Sequence, residues 1–315
     1  KQEKVQHLPH AFFIVGDVTQ PMKDGHSFPD NDDKKMAQII FGNESVSMND
    51  KSLGSGIIKL HNKAKNGFQL GSCQFALHYF FETKEKIHGF LQNISETITK
   101  DGYFITTCYD GKTVFDMLNE KEIDYNETFV IRKDNKKIFE ITRMYNQTAF
   151  PDTEESIGYA IDIFQESINN TIREYLVNAN YFISLMEEYG FILCPNDDLI
   201  KMKWPSNDSG TGLFSELFTE MQKMDKINPT LVKSEYRTAI FLSTEEKLIS
   251  FLNRYYIFKK VRDVSLAELH KKYIGTKTHI GETHNSKENK PEKTVLRRIP
   301  DVKKYTIDTK KVDFI

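Results

Sequence analysis

The chain has 315 residues, 39% hydrophobic and 12% aromatic, enough apolar mass for a real core and too much for a disordered polypeptide. A formal net charge of -2 excludes a globally basic nucleic-acid binder but leaves room for a local basic path. Cys73, Cys108 and Cys194 show no CxxC spacing, which argues against a zinc site or disulfide framework and fits a reducing compartment, and no apolar run nears the roughly 18 residues of a membrane helix.

In chain order, Ala11-Phe12-Phe13-Ile14-Val15 reads as a buried strand ending at Gly16-Asp17. A polar stretch from Gln20 to about Gly54 is expected to be loop, with a helix around Asp33–Phe41. Phe68–Gln74 is a second strand. Thr83–Thr99 carries Ile87, Phe90, Leu91, Ile94 and Ile98 at helical spacing. Asp101-Gly102 turns into a third strand over Tyr103–Cys108, and Thr113–Leu118 starts another helix. Thr128–Arg132, Lys137–Tyr145 and Ile157–Phe164 look like hairpin strands, with Lys133-Asp134-Asn135-Lys136 as a turn. Tyr175–Tyr189 follows as a helix, then Phe191-Ile192-Leu193, Leu199–Met202 and a last strand over Phe251–Phe258. Strands alternating with helices predict a mostly parallel sheet, and the hairpin region, about 122–170, predicts an antiparallel lid. From Lys271 to Ile315 there are 12 Lys/Arg against 6 Asp/Glu. This segment is expected to be a basic tail of low order, with a last strand or docking peptide near Val312–Ile315. The absence of an initial Met and of a signal-like start points to an excised piece of a soluble intracellular α/β protein.

The segment Gly71-Ser72-Cys73-Gln74-Phe75-Ala76-Leu77-His78-Tyr79-Phe80-Phe81-Glu82 places a polar and aromatic cluster where a buried strand turns into a helix. In open α/β sheets ligands bind at such places. Taken alone, His78 reads as a semi-buried structural histidine and Gln74 as a loop tie. Asp17 after a strand reads as a helix cap or turn residue. Glu174 before a helix reads as a carboxylate favoured by the helix dipole.

Together, these residues resemble the "SCQF..HY" signature of messenger-RNA cap guanine-N7 methyltransferases, in the version carried by large DNA viruses. Glu174-Tyr175-Leu176-Val177 is similar to that family's "Glu-Phe-Leu-Val", and Cys108-Tyr109-Asp110-Gly111 to its viral "Cys-Tyr-Asp-Gly" variant, a turn near the site that helps assign lineage more than chemistry. The resemblance runs from about Phe12 to Lys260. It implies a class-I methyltransferase-like α/β fold with an antiparallel lid, over residues 1–262, followed by the basic tail 263–315. It also implies S-adenosylmethionine as methyl donor, held by Asp17, Gln74 and Tyr79, and a cap guanine held by His78 and Glu174. A carboxylate at Glu174 would accept both the N1 proton and the exocyclic amine of guanine and would complement the cationic 7-methyl product. The last strand of the cellular enzymes has a cap-contacting tyrosine at about the place where an ungapped register gives Asn253 in this chain. The resemblance thus assigns Asn253 to the cap guanine, with Tyr255 or Phe251 as a stacking alternative whose ordinary reading is core packing in a strand.

The chain holds no Gly-rich methyl-donor loop, and Gly54-Ser55-Gly56 lies too late to replace it. The resemblance therefore implies a fold that lacks its first strands. It further implies upstream guanylyltransferase and RNA triphosphatase modules or a viral partner subunit, 5′-capped RNA as substrate, no membrane, and residence in the host cytoplasm or the virion. No Ser/His/Asp triad, metal cluster or pair of catalytic carboxylates emerges, which suits a reaction run by alignment and electrostatics with no catalytic side chain. A non-catalytic cap-binding or stimulatory subunit would carry the same residues.

Overall fold

Two five-stranded sheets organise the protein, which a computed structural model describes over residues 13–44, 55–204, 209–275 and 304–306. The segment before the first sheet holds α1 (Asn31–Phe41) and α2 (Ser55–Leu60). Asp30 caps α1 by accepting from the backbone N–H groups of Asp32 and Asp33, and Gly42, at φ 78°, ends it. The first sheet then receives β1 (Phe68–Gln74), a short 3-10 turn over Leu77–Glu82, α3 (Lys84–Thr97) and β2 (Ile98–Tyr109). After α4 (Gly111–Glu120), the chain builds the second sheet from β3 (Thr128–Lys133), β4 (Lys136–Arg143), β5 (Ala160–Gln165) and β6 (Asn170–Tyr175). It returns through α5 (Ala179–Glu188), β7 (Phe191–Leu193), α6 (Asn196–Lys201), β8 (Thr211–Leu213), α7 (Phe214–Ile227), α8 (Pro229–Glu235) and α9 (Thr244–Ser250) to β9 (Asn253–Lys260). α10 (Leu266–Tyr273) and β10 (Lys304–Thr306) complete the described chain.

The first sheet has the order β1-β2-β9-β7, with β8 also on β9. Successive residues of β9 point to opposite faces. Tyr256 and Phe258 enter a core with Phe81, Ile87, Leu91, Phe182 and Phe191, whereas Tyr255 and Ile257 join Cys194 and Leu199 on the other side. Each fully buried aromatic of this kind contributes roughly 1.5–3 kcal/mol through burial. The second sheet, β10-β3-β4-β5-β6, has its own core, where Phe129, Ile131, Phe139, Ile141, Ile161 and Ile163 pack with Val114, Phe115 and Leu118 of α4.

Several sequence expectations change. Phe13, Ile14 and Val15 form no strand, and Phe13 and Val15 are exposed, while Ala11 and Phe12 lie outside the described residues. An apolar run makes a strand only where a neighbouring strand pairs with it. The first sheet is not mostly parallel: only β1 and β2 run parallel among its described pairs, and β9 is antiparallel to β2, β7 and β8. Apolar alternation reports layers, not strand direction.

The helix expected over Tyr175–Tyr189 starts at Ala179, because Asn178 accepts from the N–H of Tyr181 as its cap. Glu174 and Tyr175 therefore lie on β6 rather than at a helix start. The tail begins with order, since α10 docks through Tyr273 stacked on His88 and Lys272 paired with Glu188. A short strand forms at Lys304–Thr306, parallel to β3. The expected strand at Val312–Ile315 lies outside the described residues. Helices α7, α8 and α9 were not expected, although Ser243 and Glu246 form a capping box and Pro229 opens α8 behind Asn228.

Candidate functional site

At the carboxyl end of β1, Phe75 takes a left-handed conformation (φ 51°) while its N–H reaches the Thr107 carbonyl at 2.9 Å. The chain then enters the 3-10 turn. Leu77 and Phe81 sink into the core and hold the turn, leaving His78 and Tyr79 to face a cavity of about 340 Å³. Phe75, His78 and Tyr79 form one wall. Tyr109 at the end of β2 and Asn253 at the start of β9 form the floor, in register across the two strands. Gln165, Ile168, Ile172 and Glu174 close the cavity from the β5–β6 hairpin, and Ile249 from α9.

Two ionisable groups dominate this cavity. His78 is 4% exposed and Glu174 7%, and His78 Nε2 lies 3.5 Å from Glu174 Oε2. Neither imidazole nitrogen nor Glu174 Oε2 has a hydrogen-bond partner among the described residues. Burial pushes His78 down to about 4 and Glu174 up to about 7, since desolvation disfavours whichever form is charged. Orphaned polar atoms in a cavity are costly without a ligand to satisfy them. Burial and the Glu174 charge also raise the Tyr79 phenol, whose ring meets His78 edge-on with centroids 4.2 Å apart. The Tyr109 hydroxyl accepts from Gln165 Nε2 at 2.7 Å. Asn253 donates through Nδ2 to the Ile249 and Ser250 carbonyls at the end of α9. The cavity thus combines a buried carboxylate, a largely neutral imidazole and three aromatic rings. It suits a planar heterocycle with a donor edge or a positive charge.

His78, Tyr79, Glu174 and Asn253 are brought together here, although two sheets and 175 residues of chain separate the first from the last. Gln74, the residue before Phe75, does not line the cavity. Its side chain donates to Ser72 Oγ and the Ile105 carbonyl, and its Oε1 accepts from Thr107. Asp17 does not line the cavity. Its Oδ1 accepts from the N–H and hydroxyl of Thr19 in a local turn. That turn is held on α3 by the buried Asn93, which donates to the Val18 and Gln20 carbonyls and accepts from the Met22 N–H.

The two stacking alternatives fail. Tyr255 lies farther along β9, packed near Trp204, and Phe251 lines a separate apolar groove of about 430 Å³ beside Phe218. Asp110 is not simply a turn residue. It caps α4 by accepting from Thr113 and pairs with Arg254. Gly111 lets α4 pass under Val177, whose carbonyl oxygen would lie 2.4 Å from an added Cβ. Sequence reasoning missed Tyr109, Gln165, Ile168, Ile172 and Ile249 as cavity residues. Tyr109 alone had a signal, its place in the Cys108-Tyr109-Asp110-Gly111 run.

For a methyl donor, the described residues offer one wall. Ser72, Gln74 and Phe75 are exposed at the end of the parallel β1–β2 pair, and the half-exposed Tyr79 lines the cavity. These residues fit contact with the donor. The described residues contain no glycine-rich strand-to-helix turn that would complete a cradle for it.

A profile of the mRNA (guanine-N(7))-methyltransferase domain matches residues 21–246. The chain is 26% identical over 217 residues to the "Probable mRNA-capping enzyme" of Acanthamoeba polyphaga mimivirus, a match covering 64% of this chain and 18% of that protein. It is 21% identical over 143 residues to an African swine fever virus mRNA-capping enzyme, covering 45% of this chain and 16% of that protein. It is also 30% identical over 132 residues to the Saccharomyces cerevisiae mRNA cap guanine-N(7) methyltransferase, covering 39% of this chain and 28% of that protein. The chain thus spans less than a third of the length of each of these relatives.

Proposed function

We propose that this chain, which belongs to the mRNA (guanine-N7)-methyltransferase domain family, carries the cap guanine site of a messenger-RNA capping enzyme and takes part in methyl transfer to guanine N7. Its fold is α/β, of the class-I S-adenosylmethionine-dependent kind. The observation that carries the reading is the unpartnered Glu174–His78 pair, buried in one cavity with Phe75, Tyr79 and Tyr109.

Glu174 as carboxylate can accept from the N1 and N2 protons of guanine, an edge that adenine lacks. Its charge opposes the positive charge that the base gains on methylation, so it binds the developing cation more tightly than the neutral substrate. The ring faces of Tyr79 and Phe75 hold a planar base, and His78 supplies one donor and one acceptor as a neutral imidazole. S-adenosylmethionine supplies an activated methyl group on a sulfonium. Guanine N7 keeps its lone pair at neutral pH, so no side chain needs to remove a proton. Alignment in a dry cavity is the main contribution of this chain. Gln74, Tyr79 and Asp17 are the residues assigned to the donor.

The substrate in this reading is the 5′ guanine end of capped RNA. The viral relatives, of which this chain spans less than a third, are named as mRNA-capping enzymes, and in this reading the chain acts beside further capping modules, in the host cytoplasm or the virion. The experiment is transfer of label from radiolabelled S-adenosylmethionine to guanine-capped RNA, with parallel titration of the dinucleotides GpppG and ApppA, the second of which carries no guanine. Label recovered as 7-methylguanine and a preference for GpppG are expected. Equal binding of the two dinucleotides would overturn the assignment of the cavity.

A further inference from the structure

We propose that Tyr109, held by Gln165, is a specificity-determining residue of the guanine site, forming the aromatic wall and a hydrogen-bond donor opposite Asn253. This rests on the cap reading above and adds a residue pair to it.

Geometry makes the first case. Tyr109 and Asn253 face each other in register across β2 and β9, so a ring carried by one strand covers the place left open by the small side chain on the other. Directly opposed residues of an antiparallel pair have Cβ atoms about 4.5–5.5 Å apart, close enough for one to replace the other against a shared ligand. The two aromatics expected to substitute, Tyr255 and Phe251, point elsewhere. Tyr109 is buried and packs against Phe139 of β4, with ring centroids 6.2 Å apart. Its ring is therefore a fixed wall.

Hydrogen-bond accounting makes the second. Gln165 Nε2 donates to the Tyr109 hydroxyl, which leaves the phenolic proton free, and no described residue accepts it. Asn253 spends Nδ2 on the end of α9, so it offers the cavity an acceptor through Oδ1. Glu174 is likewise an acceptor. The Tyr109 O–H is thus a donor in a cavity that otherwise offers mostly acceptors. Burial and the Glu174 charge raise the phenol further, so it stays a donor across the working pH range. Guanine pairs a donor edge with the acceptor O6, and adenine carries an amine in that place. A cavity with acceptors for the first edge and a donor for the second selects guanine.

Gln165 ends β5 on the second sheet, whereas Tyr109 ends β2 on the first. Their bond joins the two sheets across the cavity and fixes the phenol. The pair predicts coupling. Tyr109→Phe removes both the donor and the strap, and Gln165→Leu removes only the strap.

The test is titration of GpppG and ApppA into the full chain carrying Tyr109→Phe, Gln165→Leu, both, or Glu174→Gln, with each variant's thermal unfolding recorded. Tyr109→Phe is expected to weaken GpppG about tenfold and leave the weaker ApppA binding nearly unchanged, as loss of one buried donor does. Gln165→Leu is expected to weaken GpppG severalfold, and the double variant no more than Tyr109→Phe alone. Unchanged GpppG binding in both single variants, multiplicative losses in the double, or equal weakening of the two dinucleotides would overturn the proposal. If Glu174→Gln alone weakens GpppG, the guanine reading stands and the role of Tyr109 falls. If Glu174→Gln also binds GpppG as the unaltered chain does, the guanine reading itself falls. Should Tyr109→Phe fail to fold, the preference ratio of Gln165→Leu decides, since a purely structural strap would weaken both dinucleotides alike.

Discussion

Replacing Glu174 by Gln should stabilise the protein at neutral pH while disabling the site. Burial holds the Glu174 carboxyl at about 7, against 4.5 for an ordinary glutamate. At about 1.4 kcal/mol per pH unit, that displacement corresponds to on the order of 3 kcal/mol. Below pH 4.5 the carboxyl is protonated in both folded and unfolded chains, and its burial carries no ionic penalty. Between 4.5 and about 7 the unfolded chain releases a proton that the folded protein keeps, so stability falls as pH rises. Above 7 the full penalty is in place. His78 acts in the opposite direction. Its folded value of about 4 lies below the ordinary 6.5, so stability falls as pH drops through that interval, and the two slopes oppose each other between 4.5 and 6.5.

Glutamine cannot ionise, so Glu174→Gln removes only the first slope. Urea unfolding followed by the fluorescence of Trp204, the one tryptophan, measures it. The stability of Glu174→Gln minus that of the unaltered protein should be near zero at pH 4.5 and rise by up to about 3 kcal/mol by pH 7. The same variant should bind GpppG at least tenfold more weakly. A stability difference that stays flat between pH 4.5 and 7 would refute the claim that Glu174 is held in a desolvated, unpaired state.

Asp17→Ala should weaken S-adenosylmethionine binding by on the order of 1–3 kcal/mol with GpppG binding unchanged; unaltered donor affinity by calorimetry would remove Asp17 from the site. Asn93→Ala deletes three hydrogen bonds to residues 18–22 and should cost about 2–3 kcal/mol. The Met22 amide should then exchange hydrogen faster, and native-like protection there would show that other contacts hold the turn. Gly111→Ala must displace the Val177 carbonyl, so its thermal midpoint should fall by the equivalent of about 2–4 kcal/mol; an unchanged midpoint would show that α4 can shift freely.

Chemistry-bearing residues were legible in the chain wherever a contiguous run carried them. His78 and Tyr79 follow from the strand-to-turn signature, and Glu174 from its own short run. Asp30, Thr83 and Ser265 each cap a helix by accepting from an N–H close by in the chain, a local signal that the reading of the sequence did not use. Periodicity located α3, β2 and the hairpin strands, since local pattern and local structure share one length scale. Strand direction does not follow from pattern, and the antiparallel pairing of β9 with β2 was decided by the tertiary structure.

Pairings across the fold were decided only in three dimensions. Tyr109 read as a lineage marker until β2 and β9 set it opposite Asn253 and β5 brought Gln165 to its hydroxyl. The chain determined which acids and rings were available. Tertiary structure decided which of them lost water together, and that shared desolvation turns Glu174 and His78 from ordinary side chains into a site.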